Sequence, residues 1–170
     1  MRRLLKITGG ILAIIFLLVC MASAWYLIKF YPRKATEFTT GAAHSKHRVL
    51  IATQGSDFKD AVVNRVVSML KGPEIFISVV DVSRLPDIDP DKWVGIAVLN
   101  TSMADNPNED VKRFLSRVGA SGKILVVTTS GGGDYVIPNL KVDGITTASQ
   151  PSKTESIAKT IYQKFHNSHS

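Results

Sequence analysis

The sequence predicts a three-layer α/β sandwich with a parallel sheet, preceded by one transmembrane helix. Three observations predict it. The stretch from Ile7 to Ile28 contains no charged residue. From about residue 48 onward, short and almost wholly apolar runs recur. Between them lie segments whose apolar residues repeat at helical spacing. Such runs fit strands covered on both faces, as in a parallel sheet flanked by helices.

Residues 1–6, MRRLLK, form a short basic start. Residues 7–28 read as a signal-anchor; as a helix they would span roughly 33 Å, at about 1.5 Å per residue, enough for a bilayer core. Trp25 and Tyr26 stand at its far end, where amphipathic rings prefer the interface. Arg2, Arg3 and Lys6 precede the run, and Lys29, Arg33 and Lys34 follow it, so charge alone orients it weakly. The short basic start is that of an anchor with its N-terminus in the cytoplasm, which places the domain outside. Ala22-Ser23-Ala24 offers an alternative, cleavage after Ala24; the apolar character continues through Trp25, Tyr26, Leu27 and Ile28, which favours a retained anchor. Lipidation at Cys20 is a further alternative, which the sequence disfavours: Leu17-Leu18-Val19 resembles a lipobox only in part, because Val19 occupies the position that usually needs a small residue.

Charge narrows the function classes. Residues 1–48 hold eight of the 21 Lys and Arg but one of the 14 Asp and Glu, so the whole excess of +7 sits there. Residues 49–170 are balanced, which argues against a nucleic-acid partner, since such modules need a basic face. Membrane lipid and another membrane or envelope protein are the expected partners. The single cysteine excludes an internal disulfide and a thiolate cluster.

Residues 29–47 read as a juxtamembrane linker. Tyr31-Pro32 stops the helix, because proline disfavours a helical residue before it. Thr39, Thr40, Gly41, Ala42, Ala43 and Ser45 show no periodicity. His44 and His47 lie among Lys46 and Arg48, which oppose a bound cation.

Residues 48–166 read as the domain. Val49–Thr53 is the first strand. Asp57 is expected to cap the next helix, with Ala61, Val62, Val66, Met69 and Leu70 inward, Lys59, Asp60, Asn64 and Arg65 outward, and Gly72-Pro73 as its end. Strands follow at about Ile75–Val80 and Val94–Leu99, with a loop of Pro86, Pro90 and aspartates between them. Asn108 caps a helix that buries Val111, Phe114, Leu115 and Val118. Lys123–Thr128 is the fourth strand and Gly144–Ala148 a weaker fifth. Ser152 and Glu155 have the spacing of a capping box, and the last helix turns Ile157, Ala158, Ile161, Tyr162 and Phe165 inward. Residues 167–170 are expected to be a disordered tail.

Open parallel sheets bind ligands beyond the carboxyl ends of their strands. Three loops qualify: Gln54-Gly55-Ser56-Asp57, Asn100-Thr101-Ser102-Met103, and Thr129 through Asp134. In element order, residues 48–166 resemble a flavodoxin-like domain. That resemblance implies FMN as a possible cofactor. Thr53, Gly55 and Ser56 would hold its phosphate, and Ser102, Gly132, Gly133 and Asp134 would border its ring. Gly133-Asp134-Tyr135 is similar to the family's second ring loop. The chain departs from the pattern at Gln54, where threonine is usual, and at Asp57, where a hydroxyl is usual and a carboxylate repels phosphate. Asn100 to Asp105 holds no aromatic, and little chain separates Tyr135 from Asp143. Asp143 to Ser149 is slightly similar to the flavin-attachment motif of membrane-linked FMN-binding domains, with Thr147 where that motif has glycine.

Other chemistry is sparse. No His lies in the domain before His166, which removes a Ser-His-Asp triad. Asp87, Asp89 and Asp91 lack the glycine and distal Glu of a calcium loop. The glycines 131–133 lack the Lys-Ser/Thr of a nucleotide P-loop. The expected function is a membrane-anchored, non-catalytic interaction or accessory module; the alternative is an FMN-binding electron-transfer protein or flavin reductase.

Overall fold

The computed structural model describes residues 2–30, 33–72, 74–103, 106–139 and 141–167. Tyr31-Pro32, Pro73, Asp105 and residues 168–170 of the expected tail lie outside them. The chain divides into two units, Met1–Pro32 and Arg33–Ser170.

The first unit is one helix, α1 (Arg2–Phe30). Its segment Gly9–Tyr26 is long and apolar enough to cross a membrane. Ile11, Phe16, Leu18 and Trp25 are all more than half exposed.

The second unit is a six-stranded sheet ordered β1-β3-β2-β4-β5-β6. Its strands are β1 (Phe38–Gly41), β2 (His47–Thr53), β3 (Ile75–Asp81), β4 (Gly95–Thr101), β5 (Ile124–Thr129) and β6 (Asp143–Thr147). Strands β2 to β6 are mutually parallel, with Val49 opposite Ile77 on one side and Gly95 on the other. Helices α2 (Asp57–Leu70), α3 (Glu109–Val118) and α4 (Thr154–Asn167) cover them.

The layers follow from a side-chain period of two. Val49, Ile51, Ala97, Leu99, Leu125 and Val127 face α2 and α4, and pack on Val62, Val66, Ile161 and Phe165. The intervening Leu50, Ala52, Ile96, Val98, Ile124 and Val126 face α3, and pack on Val111, Phe114 and Leu85. Both faces are buried, which is why these strands are continuous apolar runs. On the α3 face two crossovers lack a full helix. Two 3-10 turns, Val82–Asp87 and Pro90–Lys92, join β3 to β4. Residues 130–142 join β5 to β6 with no helix among those described.

Four expectations need correction. The segment 29–47 is not wholly linker: Phe38–Gly41 forms β1, an antiparallel edge strand beside β3 on the otherwise parallel sheet. β1 is an exposed edge strand, so it carries no apolar alternation to read. The N-cap of α2 is Ser56, whose Oγ accepts from the Lys59 N–H; Asp57 is the first helical residue. Ala61 faces out and Lys59 faces in. The capping box does not form, because Ser152 lies in a 3-10 turn and Glu155 pairs with Arg65 at 2.7 Å. Asn108 does cap α3, its Oδ1 accepting from the N–H groups of Asp110 and Val111.

Candidate functional site

The strand order reverses between β2 and β4, and the site is built around their carboxyl ends. Gln54 follows β2 and ties the two strands together. Its backbone N–H donates to Leu99 O at 3.0 Å, and its Oε1 accepts the Thr101 N–H at 2.5 Å. The residue that departs from the flavodoxin pattern thus becomes a staple across the reversal point.

Lys59 enters from the first turn of α2 and is 1% exposed. Its Nζ donates to Thr101 Oγ1 at 2.6 Å. Thr101 Oγ1 lies 3.3 Å from Thr129 Oγ1, which donates to Asn100 O at 3.2 Å. Because the Thr129 proton goes to that carbonyl, the Thr101 hydroxyl donates to Thr129 and accepts from Lys59. Burial pushes the Lys59 ammonium down from 10.5 to about 8, against a smaller opposing pull from Asp60.

The first loop is closed from outside by the segment that follows α1. Gly55 N–H donates to Arg33 O at 2.7 Å, and Arg33 N–H donates back to Gly55 O at 3.0 Å. A Cβ on Gly55 would stand 2.5 Å from Lys34 O, so only glycine admits this approach. The Arg33 guanidinium reaches Asp57 at 2.7 Å and Asp60 at 2.9 Å. Its hydrogen bonds to Asp57 and then Asp60 raise its pKa. Farther along, Asp81 Oδ2 accepts the Ala35 N–H at 2.8 Å. Burial raises the Asp81 pKa, but hydrogen bonds from Ala35 and Ser83 outweigh it and the net shift is downward.

These residues do not fit a flavin phosphate. The Gly55 amide is bonded to Arg33. Thr53 is buried with its hydroxyl turned onto Gln54 O, and Ser56 Oγ is occupied as a helix cap. Asp57 and Asp60 put two carboxylates in the first turn of α2, where a phosphate would meet the helix dipole.

The ring loops are built differently. Ser102 N–H donates to Thr129 O at 2.8 Å, while Ser102 Oγ and Asn100 Oδ1 are buried without a protein partner. Gly133 has φ 77° and donates its N–H to Ser130 Oγ at 2.9 Å. A Cβ there would lie 2.5 Å from the Ala148 N. The Asp134 carboxylate sits over Gly132, where a Cβ would meet its Oδ1 at 2.7 Å. Thr53, Ser102 and residues 132–134 therefore share one end of the sheet, after β2, β4 and β5. A cavity of about 510 Å³ lies beside α3, and none of the seven expected site residues lines it.

No group of three or more His, Cys, Asp or Glu suited to a metal occurs among the described residues. Asp89 caps a 3-10 turn and Asp91 pairs with Lys123 at 3.2 Å.

Sequence reasoning missed Lys59, the Gln54 staple and the Arg33 closure. Lys59 had a signal, since it lies three residues before Val62 and seven before Val66, on the inner stripe of α2. Arg33 had none, because its bonds to Gly55 are backbone to backbone.

No family model matches the chain, and no curated protein matches it. Solved structures do resemble it. The metal-soaked Flv1 flavodiiron core from Synechocystis superposes with a TM-score of 0.50 at 11% identity, over 74% of this chain. This chain spans 37% of that protein's length. A flavodoxin, WrbA-like protein from Agrobacterium tumefaciens gives 0.47 at 11% identity, over 74% of this chain and 98% of the other. Oxidised Flavodoxin 2 from Bacillus cereus gives 0.41 at 11% identity, over 71% and 98%. Counted without β1, the sheet order is that of a flavodoxin: second, first, third, fourth, fifth. The fold of the second unit is flavodoxin-like.

Proposed function

We propose that this chain is a single-pass membrane protein whose flavodoxin-like domain stands outside the cytoplasm and works as a non-catalytic binding module. One observation carries the reading: Gly55 and Arg33 exchange both backbone hydrogen bonds, which fills the loop where the fold would hold a cofactor phosphate. The buried Lys59 and the Gln54 staple occupy the neighbouring strand ends with the protein's own groups. The apolar span of α1 supports an anchor, and the basic start of the chain supports its orientation. Lipid surrounds the anchor on this reading, and the partner of the domain is another membrane or envelope protein.

The test is a titration of the purified full chain, in detergent micelles, with FMN. Flavin fluorescence is expected to show no saturable change beyond that of empty micelles. Stoichiometric quenching at low micromolar FMN would overturn the reading.

A second reading, an FMN-binding electron-transfer protein or flavin reductase, has one observation in its favour. Ser102 Oγ and Asn100 Oδ1 are buried and unpartnered where a ring loop would stand. The same titration decides between the two.

A further inference from the structure

The crossover from β5 to β6 joins two parallel strands, a connection that usually carries a helix. Here residues 130–142 make it with no described helix, so one flank of α3 has no helical neighbour. Ile137 and Val142 reach down to the core on that face. Between them and α3 remains a cavity of about 510 Å³. That volume lies in the range of small-molecule sites, roughly 300–1,000 Å³.

Its walls have a specific chemistry. Leu115 from α3 and Ile137, Pro138 and Val142 from the crossover give an apolar interior. Tyr135 also lines it, and its backbone is tethered: its carbonyl accepts from Thr146 Oγ1 at 2.8 Å and its N–H reaches Ser130 Oγ at 3.4 Å. Lys112 and Lys141 line the cavity with the polar Asn106, Ser116 and Asn139, and no carboxylate is among its described lining residues. Lys112 shares its charge with Glu109 at 2.5 Å. Lys141 is exposed, with no ion pair among the described residues. Pro138 and Asn139 turn the chain beside it, Asn139 at φ 55°, a backbone state that costs energy in a non-glycine residue.

We propose that this groove binds a small aromatic carboxylate. The ring lies against Tyr135 and Pro138 over Leu115 and Val142, and the carboxylate meets Lys141 and Lys112 at the rim. The aromatic face and the apolar walls select a flat ring, and Lys141, which has no ion pair among the described residues, selects a single negative charge while Lys112 stays shared with Glu109. None of the strand-end residues takes part. FMN binding would therefore overturn the proposed function and leave this inference standing.

The probe is 2-naphthoate, added to the full chain with 13C-labelled Ile, Leu and Val methyl groups in phosphatidylcholine nanodiscs. Saturable shifts are expected at Leu115, Ile137 and Val142, with Val62 and Val66 under α2 unmoved. The neutral 2-naphthalenemethanol is expected to need at least three times the concentration for half-saturation. The pair Lys112→Gln and Lys141→Gln should weaken 2-naphthoate three- to tenfold, the scale of partly exposed charge pairs, while leaving the alcohol unchanged. No saturable shift up to the solubility limit would overturn the proposal. So would equal binding of acid and alcohol, shifts centred on α2, or an unaltered midpoint in the double variant with a native methyl spectrum.

Discussion

The Lys59 ammonium, 1% exposed, donates at 2.6 Å to a neutral hydroxyl, Thr101 Oγ1, rather than to a carboxylate. Burying a cation with so little compensation costs stability. Its folded pKa of about 8 lies below the 10.5 of the free side chain. Between those values the unfolded chain binds more protons than the folded one, so stability rises with pH. Urea denaturation of the full chain is expected to show a gain of about 3 kcal/mol at most between pH 7 and pH 10.5, from 1.36 kcal/mol per unit. Lys59→Met should raise stability at pH 7 by ~1–3 kcal/mol and flatten this part of the profile. A variant less stable than wild type at pH 7, with the slope retained, would contradict the burial argument.

Gln54 supplies the acceptor for the Thr101 N–H across the reversal point. Gln54→Ala leaves that half-buried donor without its side-chain partner, a loss of about 1 kcal/mol. Thermal unfolding followed by near-ultraviolet circular dichroism measures it. A change within ~0.5 kcal/mol would show that the staple contributes little.

Gly133 holds φ 77° with the Ala148 backbone 2.5 Å from where a Cβ would be. Gly133→Ala is expected to destabilise by ~1–3 kcal/mol, because the strain and the backbone contact add. The same thermal unfolding checks it, and a neutral substitution would mean that the 130–134 turn relaxes freely.

Arg33 and Gly55 separate two parts of one closure. The guanidinium is exposed in its pairs with Asp57 and Asp60. Arg33→Ala should therefore cost at most about 1 kcal/mol and keep the backbone bridge. Gly55→Ala forces Lys34 O away and should release the bridge. Amide exchange at residue 33 is expected to speed up in the Gly55 variant and change little in the Arg33 variant. The reverse order would place the closure in the ion pairs.

Much of the fold was legible because its strands are buried on both faces. Val49–Ala52 and Ile124–Val127 are apolar without interruption, and α4 shows its stripe plainly. β1 was illegible because Phe38–Gly41 is a mostly exposed edge strand paired to β3 through its backbone and carries no apolar alternation. In the site, the loop positions were found and their occupants were not. Lys59 was placed outward on its charge, although its spacing from Val62 and Val66 puts it inside. The Gly55 glycine was read as room for a phosphate; the group that approaches it closely is the carbonyl of the chain's own residue 34.

Hydrogen exchange at the Gly55 amide tests the central claim most directly. The bond to Arg33 O predicts slow exchange in the full chain, unchanged when FMN is added at ~100 µM. Fast exchange in the free protein that becomes slow on adding FMN would contradict the claim, because the amide would then be available to a phosphate.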